Sequence, residues 1–231
     1  MGRGPSIEGR KSVEDAKRAK VFTKLIREIT VATRAGVADP ADNARLRSAV
    51  DKALAANMTR DTIDRAIKRG SGADGGAEMH EMRYEGYGPA GVAFIIDCVT
   101  DNPVRTVADV RHALTKHGGN LGENGCVSWI FSKKGSIVID KKLIGEDELM
   151  ELALEAGAED VKVEDGEYEV ITEPAAFETV KKAIDAKGIK HLEASISMIP
   201  SNTVKLDAGK AESMLKLMEK LEDNDDVQAV S

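Results

Sequence analysis

Apolar positions recur with two different periods along this chain, and the change from one to the other divides it. From Ser12 onward, Phe22, Leu25, Ile26, Ile29 and Ala32 return at three- and four-residue intervals, the spacing of one buried helix face. Glu14 and Asp15 are expected in the first turn, where the helix dipole favours acids, and Gly36 and Pro40 close the segment. A second helix is predicted from about 42 to 56, burying Leu46, Val50, Ala53 and Leu54. A third opens on Thr59 as its cap, turns Ile63 and Ile67 inward and stops at Gly70. Residues 71–79, SGADGGAEM, are glycine-rich and polar and read as a linker that lets the helices move relative to the rest of the chain.

Beyond the linker the pattern shortens to strands. Residues 82–87 and 92–99 are predicted strands joined through Gly88, Pro89 and Gly91. Asn102 then caps a helix with Pro103 at its first position, burying Val104, Val107, Val110 and Leu114 before Gly118 and Gly119 end it. Residues 127–131 suggest another strand. The stretch 136–200 reads strand, helix, two strands, helix, strand, a ferredoxin-like order. The tail adds a strand at 204–206, a helix turning Ala211, Met214, Leu215, Met218 and Leu221 inward, and a last strand at 227–230. The expected fold class is α+β multidomain: an N-terminal three-helix domain, then two α/β domains, the last with β-α-β-β-α-β order. The expected boundaries are 1–75 for the basic helical domain, 76–134 plus 202–231 for the first α/β domain, and 135–201 for a ferredoxin-like domain inserted into it.

Charge changes this picture more than composition does. The net charge is −7, yet residues 1–70 hold 16 Lys and Arg against 9 Asp and Glu, a net of +7. The remainder therefore carries −14. A basic module joined to acidic ones suits a polyanionic partner despite the acidic whole. No apolar run approaches a membrane span, the N-terminus lacks a signal-peptide core, and two distant cysteines do not make a disulfide scaffold. A cytoplasmic protein is expected, without membrane contact. Four scattered histidines have no metal spacing, and neither a nucleophile elbow nor a phosphate-binding loop motif occurs. No enzyme, no cofactor and no metal are expected.

The candidate chemistry is phosphate recognition. Lys17, Lys20, Lys24, Arg27 and Arg34 fall within an arc of roughly 100° on the first helix, opposite its apolar stripe. Arg10, Lys11 and Arg18 crowd the same end, and Arg45, Arg47, Arg60, Arg65, Lys68 and Arg69 add charge on the neighbouring helices. Such a row supplies donors and positive charge for a phosphate backbone, although any solvated helix face can look basic. Arg105 and Arg111 extend the candidate set, with an Arg105–Asp109 pair as the simpler reading of Arg105. Gly118, Gly119 and Gly122 suggest either a tight turn or a loop whose amides face a phosphate. Tyr84, Tyr87 and Trp129 suit core packing or stacking on bases. The nucleic-acid-binding set is thus Arg10, Lys11, Lys17, Arg18, Lys20, Lys24, Arg27, Arg60, Arg65, Arg105 and Arg111.

The runs DAKRAKVFTKLIREI (15–29), LRSAVDKALAANMTRDTIDRAIKRG (46–70), YEGYGPAGVA (84–93), DNPVRTVADVRHALTKHGGNLGENG (101–125) and SMIPSNTV (197–204) closely resemble the YebC/PmpR family, in order and nearly end to end. Where many members begin with a Gly-His-Ser-Lys-Trp-like stretch, this chain has GRGPSIEGRK. The resemblance implies three domains and a cytoplasmic transcriptional regulator that binds DNA. Related members, among them a mitochondrial translational activator, imply instead a ribosome-associated translation factor that contacts rRNA and relieves stalling on proline-rich chains. The expected partner is nucleic acid, DNA or rRNA, with the ribosome as a further candidate and the protein a monomer or weak dimer. A ligand-sensing or protein-interaction module is the alternative from another class.

Overall fold

Side chains that hydrogen-bond backbone amides mark where the second and third helices begin. The computed structural model describes the backbone of residues 7–231 and side chains from Glu14 onward. Helix α1 spans Ile7–Ala35, α2 Ala44–Ala55 and α3 Arg60–Gly70. Asn43 Oδ1 accepts from the Leu46 amide at 3.0 Å, and Thr59 Oγ1 accepts from the Thr62 amide at 3.4 Å. Both are polar caps on otherwise orphan donors. Ile29, Leu46, Ala49, Ala53, Met58, Ile63 and Ala66 form the aliphatic core of these helices, flanked by Phe22, Leu25 and Ile26. Gly70 permits the close approach of α3 to α1, since a Cβ there would meet the Thr30 carbonyl at 2.6 Å. Thr30 and Thr33 donate to the carbonyls of Ile26 and Ile29, each at 2.8 Å, so this tight contact leaves neither hydroxyl unsatisfied.

Residues 71–79 contain no regular element and lead into β1, His80–Tyr87, which pairs antiparallel with β2, Ala93–Thr100. Helix α4, Pro103–Lys116, starts on Asn102, whose Oδ1 accepts from the Arg105 amide at 3.0 Å. The short β3, Asn120–Leu121, adds to one side of β1. Helix α7, Ala208–Glu222, and β8, Val227–Val230, come from the far end of the chain, with β8 on the outer side of β2. The sheet order is β3-β1-β2-β8, and α4 and α7 cover one face. Tyr84, Phe94, Ile96 and Cys98 pack there against Val110, Leu114, Met214, Leu217 and Leu221.

The chain leaves this compact unit at Cys126 and returns to it at Lys205, and residues 127–204 form a second unit. The second unit runs β4 Phe131–Asp140, α5 Glu146–Ala156, β5 Asp160–Val163, β6 Glu167–Thr172, α6 Phe177–Ala186 and β7 Glu193–Pro200. Its antiparallel sheet has the order β5-β6-β4-β7, the ferredoxin-like arrangement. Ile137, Ile139, Leu149, Val170, Val180 and Ile184 are its fully buried centre. The fold is α+β, with three helices ahead of two antiparallel α/β layers, as the sequence pattern and the resemblance imply.

Several local expectations are corrected. Helix α1 begins at Ile7 rather than Ser12, so Glu14 and Asp15 lie inside it. Gly9 is the one poor helix former before Lys11, and its cost of about 1 kcal/mol does not stop a long helix. The strand expected at 127–131 is a single turn of 3₁₀-helix over Ser128–Ile130, with the strand starting only at Phe131. Residues 204–206 form no strand, and Leu206 instead packs as a lone anchor on the first core. Val104 is 78% exposed, while Thr106 is fully buried with its hydroxyl bonded to Thr100 Oγ1 at 2.8 Å. Leu215 is likewise exposed and Leu217 buried. In both helices the apolar stripe is displaced because the buried face is chosen by what the sheet offers, a hydroxyl partner included.

Candidate nucleic-acid interface

The basic stripe of α1 splits into two sets. Lys17 and Arg34 are exposed and have no ion-pair partner among the described residues. The Arg18 guanidinium lies 5.1 Å from the centroid of the Phe22 ring, which holds it along the helix while leaving it solvated. The next three cations, at 20, 24 and 27, turn instead onto the acidic turn between α7 and β8. Lys20 pairs with Asp223. Lys24 Nζ donates to the Glu222 carbonyl at 2.6 Å. Burial pulls the Lys24 amine below the ordinary lysine value, against the opposing pull of Glu222 and Asp225.

Arg27 reaches deepest. Its Nη1 lies 2.6 Å from Asp226 Oδ1, 2.6 Å from the Asp225 carbonyl and 2.9 Å from the Val99 carbonyl. The Asp226 side chain is 4% exposed and accepts more than this one bond. Arg105 Nη2 donates to its Oδ2 at 2.9 Å, and Thr106 Oγ1 donates to the same oxygen at 2.8 Å. Burial by itself would raise the Asp226 pKa, but the hydrogen bonds from Arg27, Arg105 and Thr106 outweigh it and hold the carboxyl below its ordinary value. The pairing of Arg105 is therefore with Asp226 and, at 2.8 Å, with Asp101, rather than with Asp109. The hydrogen bonds that Arg105 donates to both carboxylates raise its pKa further.

The remaining cations are distributed over α2, α3 and α4. Arg60 and Arg111 are exposed with no ion pair among the described residues, and Arg65 makes only a surface pair with Asp61 at 2.9 Å. Lys68 faces Asp74 at 3.2 Å, and Arg45 is shared between Glu28 at 2.8 Å and Glu81. Arg47 and Arg69 are exposed. The side chains of Arg10 and Lys11 lie outside the described residues. The structure therefore places Lys17, Arg18, Arg60, Arg65 and Arg111 at accessible positions, and Lys20, Lys24, Arg27 and Arg105 at internal acceptors. Asp223 and Asp226 were not among the residues that sequence pattern singled out. Their signal was the acidic run Glu222, Asp223, Asp225 and Asp226, complementary in sign to the α1 stripe.

The glycine loop after α4 resolves as a turn. The amides of Gly118, Gly119 and Gly122 donate to the carbonyls of Thr115, Leu114 and Glu85, at 3.3, 2.9 and 2.8 Å, so they are spent inside the fold. Tyr84 is a core residue, Tyr87 Oη donates to the Cys126 carbonyl at 3.4 Å, and Trp129 is 78% exposed.

The family model described as "TACO1/YebC protein N-terminal domain" matches residues 4–73, and that described as "TACO1/YebC second and third domain" matches residues 79–231. The chain belongs to the TACO1/YebC family. A TACO1/YebC relative from Syntrophus aciditrophicus is 58% identical over 97% of this chain and 90% of its own length. Another from Xanthomonas oryzae is 53% identical over all of this chain and 96% of its own. Both carry the name "probable transcriptional regulatory protein". A crystal structure of a conserved hypothetical protein from Aquifex aeolicus, 46% identical, superposes with a TM-score of 0.84 over 94% of this chain and 90% of that one. No described helix of this TACO1/YebC member is long and apolar enough to cross a membrane.

Proposed function

We propose that this protein is a non-enzymatic, cytoplasmic regulator of gene expression that binds nucleic acid through the basic surface of its three helices. The observation carrying this reading is the set of exposed cations, Lys17, Arg18, Arg60 and Arg65 on α1 and α3, in a region of net charge +7 joined to a strongly acidic remainder. Phosphates meet cations without a buried competitor there, and the acidic layers repel the backbone elsewhere. Arg10 and Lys11 add to the positive charge of the same region of the sequence, and Arg111 on α4 is a further accessible cation. The relatives' name supports DNA as the polyanion. The lysine-rich character of α1, with neither Asn nor Gln on its basic face, favours backbone recognition of structured RNA, since base readout calls for bidentate side chains.

Replacing Lys17, Arg18, Arg60 and Arg65 by Gln removes charge and keeps good helix formers. Binding to duplex DNA or to ribosomal RNA should weaken, with the salt slope flattening by about 0.9 per lost contact on duplex DNA. Equal replacement of the exposed Lys142, Lys182, Lys187 and Lys190 is the control. Equal binding by both variants would refute the assignment. Sucrose-gradient sedimentation of lysate separates the two targets: ribosomal co-migration favours the RNA reading, a free protein the DNA one.

A further inference from the structure

The acidic turn between α7 and β8 sits against the middle of the basic stripe of α1. Lys20, Lys24 and Arg27 are spaced by four and three residues along α1, a rise of about 6 Å and then about 4.5 Å. Each meets an anionic or carbonyl oxygen of residues 222–226 in turn: Asp223, the Glu222 carbonyl, then Asp226 with the Asp225 carbonyl. The Asp223 and Asp226 carboxylates are anionic oxygen acceptors, as phosphates are, and the two carbonyls fill the remaining donor positions of the row. The stripe thus keeps exposed cations at its ends, Lys17 and Arg34, while its middle is occupied from within.

We infer that residues 222–226 act as an internal phosphate mimic, an autoinhibitory latch that competes with nucleic acid for Lys20, Lys24 and Arg27. The inference rests on the nucleic-acid reading above and adds its regulation. The rungs differ in how firmly they are closed. Lys20 and Asp223 are 41% and 59% exposed, so water and salt screen that pair. Arg27 and Asp226 are 14% and 4% exposed, and Arg105 and Thr106 hold the carboxylate in place. Opening therefore begins at Lys20, next to the free Lys17 and Arg18, and proceeds toward Arg27. A polyanion bound first at the accessible end meets the latch at its weakest rung. Salt loosens the outer rung and weakens phosphate binding together, so the latch is read best at fixed ionic strength.

The test uses the full-length protein with random-sequence duplex DNA and, separately, ribosomal RNA, at one salt concentration. In the Asp223→Asn/Asp226→Asn variant the latch loses two carboxylates. With an open fraction of about one tenth in the wild type, binding tightens by about tenfold. Asp207→Asn/Glu212→Gln removes the same charge from the other end of α7 and reports simple electrostatics. Asp223→Asn alone, at an exposed position, tightens binding by a smaller factor and stands if the double variant fails to fold. In the wild type, hydrogen exchange at residues 223–228 and at Val99, whose amide donates to the Asp226 carbonyl, should accelerate on nucleic-acid binding. Latch variants that bind no more tightly than the charge control, or unchanged exchange at these amides, overturn the latch while leaving the nucleic-acid reading intact. Absence of binding by every protein, wild type included, overturns both.

Discussion

Arg27 and Asp226, 199 residues apart in sequence, meet at 2.6 Å in a nearly buried ion pair. The pair joins α1 to the turn before β8, and Arg105 and Thr106 bring α4 to the same carboxylate. Removing one partner leaves the other charged and desolvated. Arg27→Gln and Asp226→Asn should each destabilise the first unit by about 3 kcal/mol, and the two changes together should cost much less than their sum. Lys20→Gln, at a screened pair, should cost within about 0.5 kcal/mol. Chemical denaturation of wild type, both single variants and the double variant as a double-mutant cycle checks this, and additive losses would contradict it.

The same carboxylate makes stability depend on pH in a defined direction. Its folded pKa lies below its unfolded one, so its stabilisation is complete above the ordinary aspartate range, about pH 4, and is lost as pH falls through the folded value. The difference in urea midpoint between wild type and Asp226→Asn should stay constant from neutral pH down to that range and close below it. A gap that closes already in the mildly acidic range would contradict the assignment.

Cys98 lies in the first core, where burial first, then the carboxylates of Asp226 and Asp97, push its thiol up to about 12. Thiolate is the reactive form, so Cys98 should stay unmodified by a disulfide reagent in native protein at mildly alkaline pH and react on unfolding. Burial, then Glu85, also raises Cys126, which is only half-buried and should react slowly in the native state. Mass mapping of the modified peptides distinguishes the two, and rapid native labelling of Cys98 would refute the prediction.

Gly119 is held by backbone on both sides. A Cβ there would collide with the Tyr87 carbonyl and approach the Gly88 Cα at 2.9 Å, neither of which can swing aside. Gly119→Ala should destabilise the first unit by about 2 kcal/mol or more. Gly209→Ala, in the first turn of α7 where a Cβ would make only an ordinary contact with Asp207 Oδ1 at 3.6 Å, should be neutral or stabilising by up to about 1 kcal/mol. Thermal melts of the two variants should therefore shift in opposite directions or leave Gly209→Ala unchanged.

Limited proteolysis tests the proposed boundary after the helices. Residues 71–79 lack regular structure and are almost wholly exposed, so first cleavage is expected there, leaving a fragment of about residues 80–231. The Arg27–Asp226, Lys24–Glu222 and Arg45–Glu81 contacts predict that the nicked halves stay together on gel filtration and dissociate more readily in the Asp226→Asn protein. First cleavage within 136–200 would show the boundary to be misplaced.

Local patterns made most of the fold legible. Thr59, Asn102 and Pro103 mark helix starts, the two caps by hydrogen bonds to residues three away, and the β-α-β-β-α-β order follows from periods of 2 and 3.6 that neighbouring residues carry by themselves. The excess of cations in residues 1–70 is likewise a property of the chain as written. The phase of a helix is not, which is why Val104 and Leu215 face outward and Thr106 and Leu217 inward. The same holds for the α1 stripe: periodicity places Lys17, Lys20, Lys24 and Arg27 on one face, but whether that face meets water or an acidic turn depends on which distant segment arrives beside it. Only the pairing of β8 with β2 brings residues 222–226 against α1. Ion pairs form over a few ångströms and are screened beyond a Debye length of about 8–10 Å, so contact in space, and not spacing in sequence, decided which cations were taken.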